Sequence, residues 1–221
     1  MKVLDWGAGR GRLLQAAVDK WQNSTAEFID YYAYDPDPKD REVCIGQIAI
    51  TWPAEAENRW FGEFSSVRQF AAGSPFDRIL LCNVLHEIPP AEWNARISDM
   101  HAVLSPSGYL LIMEDLKLPQ GELAYPKGFL ILDHGAVRLL FDDQNDILVT
   151  VQNNRLASYV IPYSRLHITP ESRRRTLEHC RNVELDKIKE IRAGTDRTYV
   201  RGVDHLRAAM QFITAYLSLT D

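Results

Sequence analysis

The chain is expected to fold as a doubly wound α/β domain. Its sheet should hold seven strands, mostly parallel, closed by an antiparallel hairpin, with a helical extension at the C-terminus. Three observations lead there. A short apolar run ends in an acidic residue and alternate glycines, Val3-Leu4-Asp5-Trp6-Gly7-Ala8-Gly9-Arg10-Gly11. Phe76-Asp77-Arg78-Ile79-Leu80-Leu81-Cys82 is nearly continuously apolar, as a strand buried on both faces of a parallel sheet should be. Between and beyond these runs, short apolar segments alternate with segments of helical spacing.

The glycine turn comes first because its backbone can touch a ligand, with no Cβ in the way. Arg12–Val18 reads as the helix that follows. A strand, a glycine turn and a helix N-terminus make the ligand crevice of a doubly wound sheet. The second strand is Ile29–Tyr34, ending in Asp35-Pro36-Asp37-Pro38. This turn presents Asp35 where an acid can accept hydrogen bonds from ribose hydroxyls. A helix over about Lys39–Ile50 leads to a third strand, Arg59-Trp60-Phe61-Gly62-Glu63-Phe64.

The fourth strand is the apolar run ending at Cys82. Pro89-Pro90 opens a helix whose Trp93, Ile97, Met100 and Leu104 recur at helical spacing. Ser105-Pro106-Ser107-Gly108 should break it before a fifth strand at Tyr109–Glu114. A crossover helix near Asp133–Phe141 follows. Ile147–Gln152 and Arg155–Ile161 then flank Asn153-Asn154 as a hairpin. The core domain is drawn at residues 1–164 and the extension at 165–221. In the extension, Thr169-Pro170-Glu171 supplies an N-cap, a first-turn proline and a favourable charge. Val203, Leu206, Met210, Ile213 and Leu217 form a stripe on the last helix, expected to pack onto the domain because it spans barely two heptads.

Composition narrows the functional classes. The chain of 221 residues, 46% hydrophobic and 25% charged, suits one globular domain with an appendage. Cys44, Cys82 and Cys180 are far apart in sequence, which points to reduced thiols in a cytoplasmic protein and to no zinc site. No apolar run approaches the roughly 20 residues of a membrane span, and the N-terminus has no signal-peptide shape. Net charge is −5, which argues against bulk nucleic-acid binding. The segment 165–207, with Arg173-Arg174-Arg175 inside it, is nonetheless net positive. It reads as solvated helix faces, with an RNA or protein docking surface as the alternative.

The spacing of the glycines selects a ligand. A dinucleotide turn, G-x-G-x-x-G, would place its third glycine at Arg12, whereas here it is Gly11. Asp5-x-Gly7-x-Gly9-x-Gly11 resembles the first motif of class I S-adenosylmethionine-dependent methyltransferases, which have a Rossmann-like fold. The later motifs follow in order over residues 2 to about 162. The resemblance implies S-adenosyl-L-methionine as cofactor. Asp5, Gly7, Gly9 and Gly11 would then shape the methionine site, Asp35 the ribose site and Glu63 with Phe64 the adenine site. Asn83 and Leu85 would line the pocket near the sulfonium. Most members carry helices before the first strand. The sequence here begins four residues before Asp5, so it is expected to be a fragment, or to have its lid supplied by the C-terminal helices or a partner.

His86-Glu87 after the fourth strand, and Glu114 in Leu111-Ile112-Met113-Glu114-Asp115-Leu116-Lys117-Leu118-Pro119, are similar to the small-molecule O-methyltransferases of plants and bacteria. By that resemblance His86 is the base and Glu114 its orienting acid, acting on a small-molecule hydroxyl. The alternative for His86 is to cap the helix and line the pocket. There is no Asn-Pro-Pro-Tyr, Asp-Pro-Pro-Tyr or Pro-Cys for base methylation, and no Cys-x₃-Cys-x₂-Cys for radical chemistry. Asp37, Asp40, Glu114 and Asp115 read as scattered surface carboxylates, with no metal site expected. Two rival functions stay open. One is a methyltransferase-like, non-catalytic module held in an assembly by a protein partner or as a homodimer through the C-terminal helices. The other is methylation of RNA or protein.

Overall fold

The computed structural model describes residues 1–116, 130–142, 148–152, 155–196 and 198–220. The expected Asn153-Asn154 turn, Ile147 and Lys117–Pro119 lie outside them. The strands are β1 (Lys2–Trp6), β2 (Asp30–Tyr34), β3 (Trp60–Phe61), β4 (Phe76–Cys82), β5 (Leu104–Asp115), β6 (Leu148–Gln152) and β7 (Leu156–Pro162). The helices are α1 (Arg12–Trp21), α2 (Thr25–Phe28), α3 (Arg41–Thr51), α4 (Phe64–Ala71), α5 (Trp93–Val103), α6 (His134–Leu140), α7 (Pro170–Ala193) and α8 (Tyr199–Ser218). The strands form a sheet in the order β3-β2-β1-β4-β5-β7-β6. β1 to β5 pair in parallel, whereas β7 runs antiparallel to both β5 and β6. Strand order reverses between β1 and β4, which opens a crevice at their C-terminal ends.

Each face of the sheet has its own core. Leu14 of α1 and Cys44, Ile45 and Ile48 of α3 cover Val3, Tyr31 and Ala33 on one face. On the other, α4 to α8 place Val67, Trp93, Ile97, Val137, Leu177 and Ala215 against Leu4, Ile79, Leu81, Leu110, Ile112 and Tyr159. The second face is covered along the whole width from β1 to β7, the first mainly at β1 and β2. Consequently β4 is not buried on both faces as its apolar run predicts. Arg78, Leu80 and Cys82 are half-buried while Phe76, Ile79 and Leu81 are buried.

Several boundaries differ from the expectation for identifiable reasons. The third strand shrinks to Trp60–Phe61 because Phe64 begins a helix with Val67 and Ala71 on its buried face. Pro38–Asp40 is a 3₁₀ turn, capped by Asp37 accepting from the Lys39 amide, so α3 starts at Arg41. Ser105–Gly108 does not separate α5 from the next strand. It lies within β5, where the register slips between the pairs Phe76–Leu104 and Arg78–Tyr109. Asp133 is the N-cap of α6, its carboxylate accepting from the Ala136 amide.

Thr169 and Ser172 form a reciprocal capping box at the start of α7. The α7–α8 pair is tied by Arg201, which donates to the carbonyls of Glu190 and Ile191 at the C-terminal end of α7. Arg173 reaches the carbonyls of Pro90 and Ser218. The apolar stripe of α8 turns outward, against expectation: Leu206, Ile213 and Leu217 are exposed. The helix instead buries Ala208, Gln211 and Ala215, and Gln211 accepts from the Ile131 amide. Among the described residues, no helix is long and apolar enough to cross a membrane.

Candidate active site

A cavity of about 630 Å³ occupies the crevice, lined by Trp6, Gly7, Gly9, Asp35, Asn83 and Val84 among others. The glycine loop is built by three positive-φ residues: Gly7 (+77°), Gly9 (+49°) and Gly11 (+72°). Each is glycine for a different reason. A Cβ on Gly7 would stand 2.7 Å from Val84 Cγ2. One on Gly9 meets nothing within 4 Å, so it would take up space in the cavity the residue lines. Gly11 does not line the cavity. It is the left-handed N-cap of α1, and a Cβ there would stand 3.3 Å from the Cys44 sulfur.

The loop is held by the acid at the end of β2. Asp35 Oδ2 accepts from the Gly9 amide at 2.7 Å, and Oδ1 accepts from the Asp37 amide at 2.9 Å. A carboxylate has about four acceptor directions, so capacity remains on the cavity side. Asp5 is different: it is 3% exposed and accepts from the Tyr31 hydroxyl at 2.6 Å. Burial pushes its carboxyl up to about 6, the Tyr31 hydrogen bond opposing and the Asp35 charge adding. Asp5 therefore ties β1 to β2 beneath the loop.

On the opposite wall, Asn83 has φ +56°, a left-handed conformation that Asn tolerates better than most residues. Its Oδ1 accepts from the Asp115 amide at 2.9 Å, locking the turn after β4 to the end of β5. Cys82 also lines the cavity. Burial pushes its thiol up to about 11, which keeps it protonated and a poor nucleophile near neutral pH.

His86 sits in a 3₁₀ turn, Leu85–Glu87, and its Nδ1 lies 2.6 Å from Glu114 Oε2. Glu114 Oε1 accepts from the Val84 and Leu85 amides at 2.9 and 2.6 Å. With the carboxylate used as an acceptor on both oxygens, Nδ1–H is the donor and Nε2 the basic nitrogen. The pair is built from the ends of β4 and β5, 28 residues apart in sequence. Both members are 3% exposed, so His86 lies behind the cavity wall, which Val84 and Glu87 form on either side of it.

Other expected residues fall elsewhere. Leu85 belongs to the core and supplies only its amide to Glu114. Glu63 is exposed at the start of α4, and Phe64 packs its ring 5.3 Å from that of Trp6; neither lines the cavity. Glu114 and Asp115 are buried rather than surface carboxylates, Asp115 paired with Arg155 at 2.8 Å. Among the lining residues that the sequence reading did not assign to the site are the charged Asp37, Asp40, Glu87, Glu92 and Arg96. Helix-start charge in Pro-Pro-Ala-Glu-Trp could have pointed to Glu92, but nothing in the sequence distinguishes Arg96 from a solvated helix arginine.

Comparison with known proteins decides the family. Residues 1–157 match the family described as "Methyltransferase domain". The chain belongs to this family. S-adenosyl-L-methionine is its cofactor, and the open Gly9 backbone, the retained acceptor capacity of Asp35 and the size of the cavity fit it. No curated protein matches the chain. Among solved structures, it is similar to an O-methyltransferase family protein from Burkholderia thailandensis, at 15% identity and a TM-score of 0.51 over 73% of this chain and 50% of that one. It is also similar to a candidate O-methyltransferase from Nostoc punctiforme, at 14% identity and a TM-score of 0.50 over 72% and 52%. At such identities the likeness speaks for the fold alone. The chain spans about half the length of these two proteins.

Proposed function

We propose that this chain transfers a methyl group to the hydroxyl of a small molecule, with His86 as general base and Glu114 as the residue that positions it. The observation that carries the reading is the 2.6 Å contact between His86 Nδ1 and Glu114 Oε2 directly behind the wall of the cofactor cavity. S-adenosylmethionine supplies an electrophilic methyl group on a sulfonium. The residues of the chain have the rest to do. Gly7 and Gly9 admit the ligand close to the backbone, and Asp35 accepts from its ribose hydroxyls while holding the loop. Asn83 fixes the turn from which His86 is presented. His86 Nε2 would take the hydroxyl proton as the oxygen–carbon bond forms and the methyl–sulfur bond breaks, the neutral thioether leaving, and Glu114 would stabilise the resulting imidazolium through Nδ1–H. A positioned base contributes typically 10²–10⁴-fold. Glu63 and Phe64 are adjacent to Trp6 rather than in the cavity, so an adenine role for them rests on the family resemblance.

Calorimetric titration with S-adenosylmethionine and with its demethylated product tests the cofactor half of the reading. An acceptor screen on wild type and His86→Ala tests the other half: binding of cofactor with unaltered turnover in His86→Ala removes His86 from the mechanism.

One observation favours a second reading, a cofactor-binding module without catalysis. His86 is 3% exposed, and a base must reach its substrate. On this reading the outward apolar residues of α8, Leu206, Ile213 and Leu217, would meet a protein partner or a second copy. Docking of RNA on the arginine triplet has less support. Arg173 is spent on backbone carbonyls, Arg174 pairs with Glu171 and Glu178, and Arg175 pairs with Asp142.

A further inference from the structure

The last helix, α8, is apolar on two opposite sides. Its inner side buries Ala208, Gln211 and Ala215. Its outer side carries Tyr199, Val203, Leu206, Met210, Ile213 and Leu217, at intervals of 4, 3, 4, 3 and 4 residues. Tyr199, Leu206, Ile213 and Leu217 are 79, 60, 53 and 55% exposed, and Val203 and Met210 are half-buried. A repeat of 3.5 residues is the spacing at which one helix seats its side chains between those of another.

Charge is missing from this outer face. α7 carries twelve Asp, Glu, Lys and Arg in 24 residues. α8 carries three in 20, Arg201, Asp204 and Arg207, and all three line the cavity between α7 and α8. His205 accepts from the Arg192 guanidinium of α7. A helix face left to water ordinarily presents charged and polar residues, as α7 does. The outer face of α8 instead has the chemistry of a buried one.

The seam is complementary to itself. Two copies of α8 laid antiparallel about a two-fold axis level with Ala208 set Leu206 against Met210, Val203 against Ile213 and Tyr199 against Leu217. Every seam residue then meets an apolar partner in a single register. Such a contact is isologous and closes at two copies, and antiparallel helices oppose their dipoles. With the exposed neighbours Val200 and Tyr216, the face offers on the order of 700 Å² per copy, or about 1,400 Å² for the pair, within the range of stable interfaces. Because α8 is already folded against α7, association has only side chains to order.

We propose that the chain forms a two-fold dimer through the outer face of α8, with the two helices antiparallel in this register. The dimer does not depend on the role of His86, since no residue of α8 lines the cofactor cavity.

Sedimentation equilibrium of the full chain tests it. Wild type should double its mass reversibly as concentration rises. Ile213→Glu sets a carboxylate against Val203 in both halves of the pair and should weaken association at least a hundredfold, as should Leu206→Glu and Val203→Lys. Mixing Ile213→Glu with Val203→Lys puts glutamate opposite lysine in one layer and leaves the matching layer apolar, and should recover at least tenfold of the loss. Thermal melts equal to wild type show that the variants are folded. A wild type that stays monomeric overturns the proposal and assigns the face to another partner. Dimerisation that survives Ile213→Glu overturns it too, as does a mixture no tighter than its components. Calorimetry of Ile213→Glu with S-adenosylmethionine reads the cofactor site separately, so failure of the dimer is not mistaken for failure of the enzyme.

Discussion

Asp35 Oδ2 accepts a hydrogen bond from the Gly9 amide at 2.7 Å, across 26 residues of sequence. On the proposed reading the acid at the end of β2 serves two partners, the glycine loop and the ligand above it, so that loop shape and cofactor affinity are coupled through one carboxylate.

That coupling predicts a graded response. Asp35→Asn keeps a carbonyl oxygen for the Gly9 amide but loses the charge, and should weaken S-adenosylmethionine about tenfold. Asp35→Ala loses both and should weaken it by about a hundredfold, since a hydrogen bond to a charged group contributes about 1.5–3 kcal/mol. Calorimetry on the three proteins checks the order; equal losses in the two variants would deny the loop its share.

The Gly7–Val84 contact predicts a steric coupling. Gly7→Ala places a Cβ 2.7 Å from Val84 Cγ2 at φ +77°, and should cost about 2–3 kcal/mol of stability. Adding Val84→Ala should restore part of it, the remainder being backbone strain. Urea denaturation of the four proteins in the cycle measures both parts.

For the catalytic pair, His86→Ala should lower turnover by 10²–10⁴-fold while leaving the cofactor affinity within about twofold. Glu114→Gln should also lower turnover, and in addition destabilise the fold by about 1–3 kcal/mol, because glutamine keeps one oxygen for the Val84 and Leu85 amides but sets an NH₂ donor against His86 Nδ1–H. Paired kinetics and thermal melts separate the two residues: a loss of stability in Glu114→Gln without loss of turnover would make it purely structural.

Asp5 gives the pH prediction. Its folded value of about 6 lies above the ordinary 3.8, so between these values the folded state binds a proton that the unfolded chain has released. Stability from this group is full below about pH 4 and is lost as pH rises toward 6. The difference amounts to roughly 3 kcal/mol. Asp5→Asn, which still accepts from Tyr31, should flatten the stability profile between pH 4 and 6. Denaturation midpoints across that range in both proteins provide the check; parallel slopes would rule the explanation out.

Much of this was legible before any coordinates. The glycine turn, the strand ending at Cys82 and the cap at Thr169 are local patterns written in adjacent residues, and the pairing of His86 with Glu114 follows the family resemblance. The doubly wound, mostly parallel sheet also follows the reading. What was misread has a common physical origin. Phe64 and the outward stripe of α8 satisfy two geometries equally well in one dimension, and only packing partners choose between them. Ala208 and Ala215 lie on the buried face of α8 while Leu206, Ile213 and Leu217 face outward, a choice made by what the helix packs against.

The sequence by itself determined the succession of strands and the glycine loop, and marked Asp35 as the proposed ribose acid, since backbone conformation and turn chemistry depend on near neighbours. The tertiary structure alone decided that Gly11 and Asp5 support the cavity rather than line it, that His86 is enclosed behind its wall, and that the apolar stripe of α8 faces outward. Each of these is a matter of burial, and burial is set by residues distant in the chain that folding brings together.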